Sequence, residues 1–192
     1  MLASKERIYL QYRPDESSLG VILNLQKKST EANPQGRPVQ QERLHVTVIH
    51  FGIAADVYRE LSQQNPKLNW EEFARAAEQF ITLSQSALPE EVTVQPTGLE
   101  FFGHRSSVLA LSVRPDQTLI DAHQSSLQQL KDFLEACGIS YPVAFMQGST
   151  NFRYALTLRP HFSLVKAARH VPEDAPSDFP ALKLKAMPIH YS

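Results

Sequence analysis

Arg43-Leu44-His45-Val46-Thr47-Val48-Ile49 and, more than a hundred residues later, Arg159-Pro160-His161-Phe162-Ser163-Leu164-Val165 follow one pattern. Each runs Arg, apolar or Pro, His, apolar, hydroxyl residue, then two apolar residues. In a β-strand, residues two apart share a face. Arg43, His45, Thr47 and Ile49 are therefore expected on one side, with Leu44, Val46 and Val48 on the other. The second stretch repeats this, with Arg159, His161 and Ser163 over Phe162 and Leu164. Two strands each present an imidazole beside a hydroxyl above an apolar back. That is a candidate active site in duplicate.

The elements around these strands define the fold class. Glu6 to Arg13 alternates like an opening strand that Pro14 stops. Asp15 to Lys28 is expected as a capped helix with Leu19, Ile22, Leu23 and Leu25 inward. Ser29 to Gln41 is rich in Asn, Pro, Gly and Gln, and predicts a loop. Gly52 is placed to end the first His strand. A short helix over Asp56–Gln64 follows, then a longer one. In that second helix, Asn69 and Glu72 have capping-box spacing, and Trp70, Phe73, Ala77, Phe80, Ile81, Ser84 and Leu88 keep a helical period.

Glu91–Phe102 and Ser106–Val113 predict two strands joined by a tight Gly103-His104-Arg105 turn. Asp116 to Cys137 predicts a long helix striped by Ile120, His123, Leu127, Leu130, Leu134 and Cys137, ended by Gly138. Ile139–Phe145 is expected as a strand and Met146–Phe152 as a polar loop. Pro172–Pro180 is expected as another loop, and Ala181–Tyr191 as a closing strand. Each half then has strands and one long helix, so the fold class is α+β with an internal pseudo-repeat.

Bulk properties narrow the function. The 192 residues suit a single domain, spanning 1–192, with a core that needs no staples. The formal net charge of -1 supplies no global field for long nucleic acid. Cys137 is alone, so no intrachain disulfide can form, which fits a reducing, cytoplasmic compartment. Met1 to Leu10 carries charges where a signal peptide needs an apolar run. No stretch approaches the ~18 apolar residues of a membrane span. The expectation is a cytoplasmic monomer with no membrane partner.

Histidine gives and takes protons near neutral pH. One imidazole can deprotonate a nucleophile while a second protonates a leaving group, which suits displacement at phosphorus. Thr47 and Ser163 would donate hydrogen bonds to phosphate oxygens. Arg43 and Arg159 would add charge-assisted contacts, or would stay solvated at strand ends. Such a site requires no metal and no cofactor, because the histidines carry the protons. The other histidines form no His-Glu-x-x-His or similar cluster. By alternation His50 falls on the face away from His45; His123 belongs to an apolar stripe, and His104, His170 and His190 lack partners at metal-ligand spacing. Gln147-Gly-Ser-Thr-Asn-Phe152 lacks the order of a phosphate loop. Arg153 and Tyr154, with Phe152, could stack a base, or Phe152 and Tyr154 could pack in the core. The same choice faces Phe101 and Phe102. Cys137, at the end of an apolar stripe, is expected as a buried thiol.

His45-Val-Thr47 and His161-Phe-Ser163 resemble the paired His-x-Thr/Ser motifs of the two-histidine (2H) phosphoesterases. That superfamily includes the bacterial RNA 2',3'-cyclic phosphodiesterases, also called 2'-5' RNA ligases. The flanks agree, since His45-Val-Thr-Val-Ile-His-Phe-Gly52 runs into a glycine and Pro160 precedes His161. The resemblance implies a bilobal α+β fold, with two pseudo-symmetric antiparallel sheets forming a central cleft and helices outside. It implies metal-independent hydrolysis of a 2',3'-cyclic phosphate or related 2'-5' phosphodiester of a small RNA-derived or nucleotide substrate. By that analogy His161 activates water and His45 protonates the departing 3' oxygen, although in sequence the two sites look interchangeable. Two rivals keep the same residues: a nucleotide-binding module of this fold with little catalysis, and a scaffold whose histidines are incidental.

Overall fold

In the computed structural model, residues 2–103, 106–176, 178–188 and 190–191 are described. Among them the chain runs β1 (Arg7–Pro14), α1 (Glu16–Glu31), β2 (Arg37–Pro38), β3 (Val46–Ile53), α2 (Ala54–Gln64), α3 (Trp70–Ala87), β4 (Glu91–Phe102), β5 (Val108–Pro115), α4 (Gln117–Ala136), α5 (Pro142–Gly148), β6 (His161–Lys166), β7 (Leu182–Ala186) and β8 (His190–Tyr191). The fold is α+β, as the alternation of periods predicts.

Local chemistry sets most boundaries. Asp15 caps α1 by accepting from the Ser18 amide, and Asp116 caps α4 by accepting from Leu119. Asn69 and Glu72 complete a reciprocal capping box on α3. Gly138 follows α4 at φ +85°, a conformation that favours glycine. Gly52 does not end β3, which continues to Ile53; it sits at φ +117°, where a Cβ would lie 2.9 Å from Asn151 Oδ1. The tip of the β4–β5 hairpin at His104 and Arg105 lies outside the described residues.

Three expected element boundaries are corrected as well. Ile139–Phe145 is not a strand: α5 begins at Pro142, whose fixed φ and missing N–H suit the first helical turn. The loop expected from Ser29 is shorter, because α1 continues to Glu31 and buries Ser29. The closing strand is interrupted between β7 and β8, where Pro188 has no N–H to donate.

The strands are antiparallel and join along one path, β2-β6-β5-β4-β7-β1-β3, with β8 paired to the start of β1. The expectation of two sheets gives way to one continuous ladder, because β7 pairs with β4 on one side and with β1 on the other. The pseudo-repeat survives within it. β1–α1–β3 and β5–α4–β6 are each strand, helix, His strand, with the two strands adjacent and antiparallel. The helices cross over: α1 packs on β6 and β7 as well as β1, and α4 packs on β3 and β4 as well as β5. Gln26 of α1 ties this crossing, donating to the carbonyls of Val39 and Leu164 at 2.8 and 2.9 Å.

The core lies between sheet and helices. Ile8, Leu10 and Tyr12 of β1, Val46 and Phe51 of β3, and Phe162 and Leu164 of β6 are fully buried. Phe51 meets Phe80, Phe133 and Phe152 at centroid distances of 5.0–5.4 Å, joining β3 to α3 and α4. Among the described residues no helix is long and apolar enough to cross a membrane.

Candidate active site

The two histidines are held in the same way. His45 Nδ1 lies 2.8 Å from the carbonyl oxygen of Arg43, and His161 Nδ1 lies 2.9 Å from that of Arg159. A carbonyl only accepts, so Nδ1 of each ring carries the proton and donates. Nε2 of each neutral ring is then left with a lone pair. Both rings are half-buried. His45 just precedes β3 and His161 begins β6, so the sheet's two His strands both enter the site at their starts.

The rings interact. The charge of His161 lowers the proton affinity of His45, so two residues 116 positions apart in sequence share one electrostatic environment. Burial is the main cause of a lowered pKa at both, with the carbonyl hydrogen bond opposing it in each case. Arg13 lowers His45 further; Arg159 lowers His161, and Glu100 raises it. Phe102 lies flat on His161, ring centroids 4.1 Å apart and planes 15° from parallel, and the Arg159 guanidinium sits 5.2 Å from the Phe102 centroid.

Thr47 and Ser163 are half-buried, two residues after each histidine. Thr47 pairs with Gln11 on β1, and Ser163 pairs with Ala110 on β5. Cross-strand partners share a face. His161 pairs with Ser112 in the same way. Arg13 is the residue beyond the last β1–β3 pair, Tyr12–Val46, which sets it alongside His45.

The arginines part company. Arg159 is exposed yet stays near His161, as its effect on that ring shows. Arg43 belongs to a 3-10 turn, Gln41–Arg43, rather than to the strand, so the alternation expected to align it with His45 does not apply. Its main chain holds His45, while its side chain is exposed. Arg153 and Tyr154 are both exposed and stack on each other, the guanidinium 4.7 Å from the ring centroid. No hydrogen bond or ring contact found among the described residues joins either to a motif histidine. Phe152 is fully buried among Phe51 and Phe145. Phe101 packs against the core, so of the two neighbouring phenylalanines it is Phe102 that meets the site.

The remaining histidines have other employment. His50 Nδ1 lies 3.1 Å from the Asn151 carbonyl, with Tyr9 edge-on at 4.8 Å. His123 is buried and holds the Ala155 carbonyl at 2.9 Å through Nε2. The Cys137 thiol is buried, which pushes its pKa up to about 12. A cleft of about 570 Å³ between α2 and α5, lined by Glu60, Tyr141 and Gly148 among others, contains neither motif. Among the described residues no three His, Cys, Asp or Glu side chains are grouped to hold a metal ion. Sequence reasoning missed Gln11, Arg13, Glu100 and Ser112. Their only signal was polarity within strands, and the strand pairing that brings them here was not readable from it.

No family model and no curated protein matches the sequence. Solved structures do match. TT0787 of Thermus thermophilus is 14% identical over 96% of this chain and 82% of its own, with a TM-score of 0.52. LigT of E. coli complexed with 3'-AMP is 17% identical over 93% of this chain and 83% of its own, at 0.53. A structure described as a phosphoesterase is 16% identical over 93% and 84%, also at 0.53. At such identities the likeness is one of fold. That shared fold spans nearly the whole chain rather than the two motifs alone.

Proposed function

We propose that this chain is a metal-independent phosphoesterase that hydrolyses a 2',3'-cyclic phosphate, or a related 2'-5' phosphodiester, of a small RNA-derived substrate. His45 and His161 are its acid–base pair. The observation that carries this reading is the matched anchoring of the two rings, each donating Nδ1–H to the carbonyl two residues earlier. That anchoring turns both Nε2 atoms to proton transfer. The fold shared with LigT, whose structure is complexed with 3'-AMP, supports a nucleotide-sized substrate.

The neutral imidazole takes a proton from water at Nε2, and the water oxygen attacks phosphorus opposite the departing 3' oxygen. The P–O3' bond breaks, and the protonated imidazole gives its Nε2 proton to that oxygen, leaving a 2'-phosphate and a free 3'-hydroxyl. Thr47 and Ser163 donate to the non-bridging oxygens, where charge grows in the transition state. Arg159 lends positive charge on the His161 side.

The surrounding charges favour one division of labour. At His45 both neighbouring charges, Arg13 and then His161, lower the proton affinity, whereas at His161 the lowering by Arg159 is partly offset by Glu100. His45 is then the base and His161 the acid, the reverse of the assignment the resemblance implies.

The test is product analysis on a panel of 2',3'-cyclic nucleotides, comparing the intact protein with His45→Ala and His161→Ala. A 2'-phosphate product that disappears in both variants is expected. Binding with no turnover anywhere between about pH 5 and about pH 8 would overturn the enzymatic reading in favour of a nucleotide-binding module.

A further inference from the structure

Among the described residues five buried side-chain polar atoms have no hydrogen-bond partner; Ser29 Oγ and Ser126 Oγ lie on helices α1 and α4, and the other three, Gln11 Oε1, Arg13 Nε and Ser112 Oγ, flank the two motifs. A buried donor or acceptor left unpaired costs about 1–3 kcal/mol, so each such atom calls for a partner: water, an ion or a ligand. Gln11 is only 4% exposed and Ser112 8%. Ile8, Leu10 and Tyr12 are fully buried in the core, whereas Gln11 and Arg13 occupy the opposite face, beside Thr47 and His45.

Gln11 makes no internal use of that amide oxygen, and its carboxamide can present either oxygen or nitrogen to a partner. Among the described residues no carboxylate pairs with Arg13. The pseudo-repeat sharpens the point. Gln11 and Arg13 on β1 correspond to Ala110 and Ser112 on β5, which lie beside Ser163 and His161. The His45 half has two long polar side chains where the His161 half has two short ones.

We infer that Gln11 and Arg13 are substrate-contacting residues of this site, Arg13 donating to an oxygen of the phosphate beside His45 and Gln11, with its carboxamide turned so that Nε2 donates, hydrogen-bonding the same anionic group beside Thr47. This rests on the phosphoester site proposed above. It makes the duplicated site directional: the anion is gripped more firmly from the β1 side, so a nucleoside phosphate enters in one orientation.

Calorimetric titration with inorganic phosphate tests this on the full chain, using Arg13→Met, Arg13→Lys, Gln11→Leu and, as a control for general charge, Lys67→Met on an exposed loop. Loss of one charge-assisted contact predicts about tenfold weaker phosphate binding for Arg13→Met, with partial recovery in Arg13→Lys and no change in Lys67→Met. Gln11→Leu removes an unpaired buried atom, so it should weaken phosphate binding severalfold while melting at the same or a higher temperature without phosphate. A purely structural glutamine would show the opposite pair of effects. Gln11→Met serves if the leucine variant does not fold.

Phosphate affinities equal to wild type in the Arg13 and Gln11 variants, or a wild type that binds no phosphate, overturn the inference. If phosphate binding falls as expected but no cyclic phosphate is turned over, the phosphoesterase reading fails and the contacts stand. If turnover is present and both affinities are unchanged, the contacts fail and the phosphoesterase reading stands.

Discussion

Phe102 lies against His161 ring on ring, 4.1 Å between centroids, at the end of β4 and two strands away in the sheet. The stacking and the Nδ1 hydrogen bond together fix both the tilt and the rotation of the imidazole. Such aromatic pairs contribute about 0.5–1.5 kcal/mol beyond area burial. Phe102→Ala should therefore lower kcat by roughly threefold to tenfold. Because Phe102 is only half-buried, the fold should survive. Phe102→Trp should restore most of the rate. A steady-state comparison in which both variants match wild type would remove Phe102 from the site.

His45→Ala and His161→Ala should each reduce turnover by about 10²–10⁴-fold, the usual contribution of a positioned acid or base. Neither ring is buried in the core, so circular dichroism and the melting temperature should stay near wild type. Equal losses from either single variant and little further loss from the double would show the rings acting as a unit.

Burial lowers the pKa of both motif rings below 6.5, so the pH optimum of kcat/KM should lie on the acid side of that value. The limbs report the pair rather than either ring alone. Glu100→Gln should move the basic limb toward lower pH, because it removes the charge that favours a proton on His161. Arg13→Met should move the acid limb toward higher pH. Shifts on the opposite limbs would reverse the assignment of base and acid.

Stability should follow the same sign. His45, His123 and His161 all have lowered pKa values in the folded chain, mainly through burial. Below about pH 6.5 the unfolded chain binds more protons than the folded one, so stability is complete above that pH and is lost as pH falls toward the folded values. Denaturant midpoints measured at about pH 7.5 and about pH 5.5 should fall in that order. Inorganic phosphate should reduce the loss, since a bound anion favours the charged imidazoles.

Gln26→Leu should destabilise the protein by about 2 kcal/mol, because it removes the amide donor from the Val39 carbonyl and leaves the Leu164 carbonyl with the Val39 N–H alone beneath α1. Leu164 sits between His161 and the end of β6, so turnover should become more temperature-sensitive as well. Urea unfolding measures the first effect. A variant as stable as wild type would mean that water replaces the amide without cost.

Local chemistry written in adjacent residues was readable from the chain alone. Asp15, Asn69 with Glu72, and Gly138 mark helix ends through groups only a few residues away, and the His motifs declare their strands by alternation as far as Thr47 and Ser163. Past Thr47 a register shift against β1 turns Ile49, expected beside His45, into the core and pairs His50, expected on the far face, with Tyr9 on the Gln11 face. Even α5 carries a local signal, Pro142 at its first turn, among the β-forming Ile139, Tyr141, Val143 and Phe145. Arg43 and Arg159 looked alike in one dimension and differ in three, because Gln41–Arg43 turns where a strand was expected. The joining of the strands into one sheet, the crossing of α1 and α4, and the arrival of Gln11, Arg13, Phe102 and Glu100 beside the histidines depend on register between strands far apart in sequence. Register is settled by which faces can be buried together, and that is a property of the assembled core rather than of any one segment.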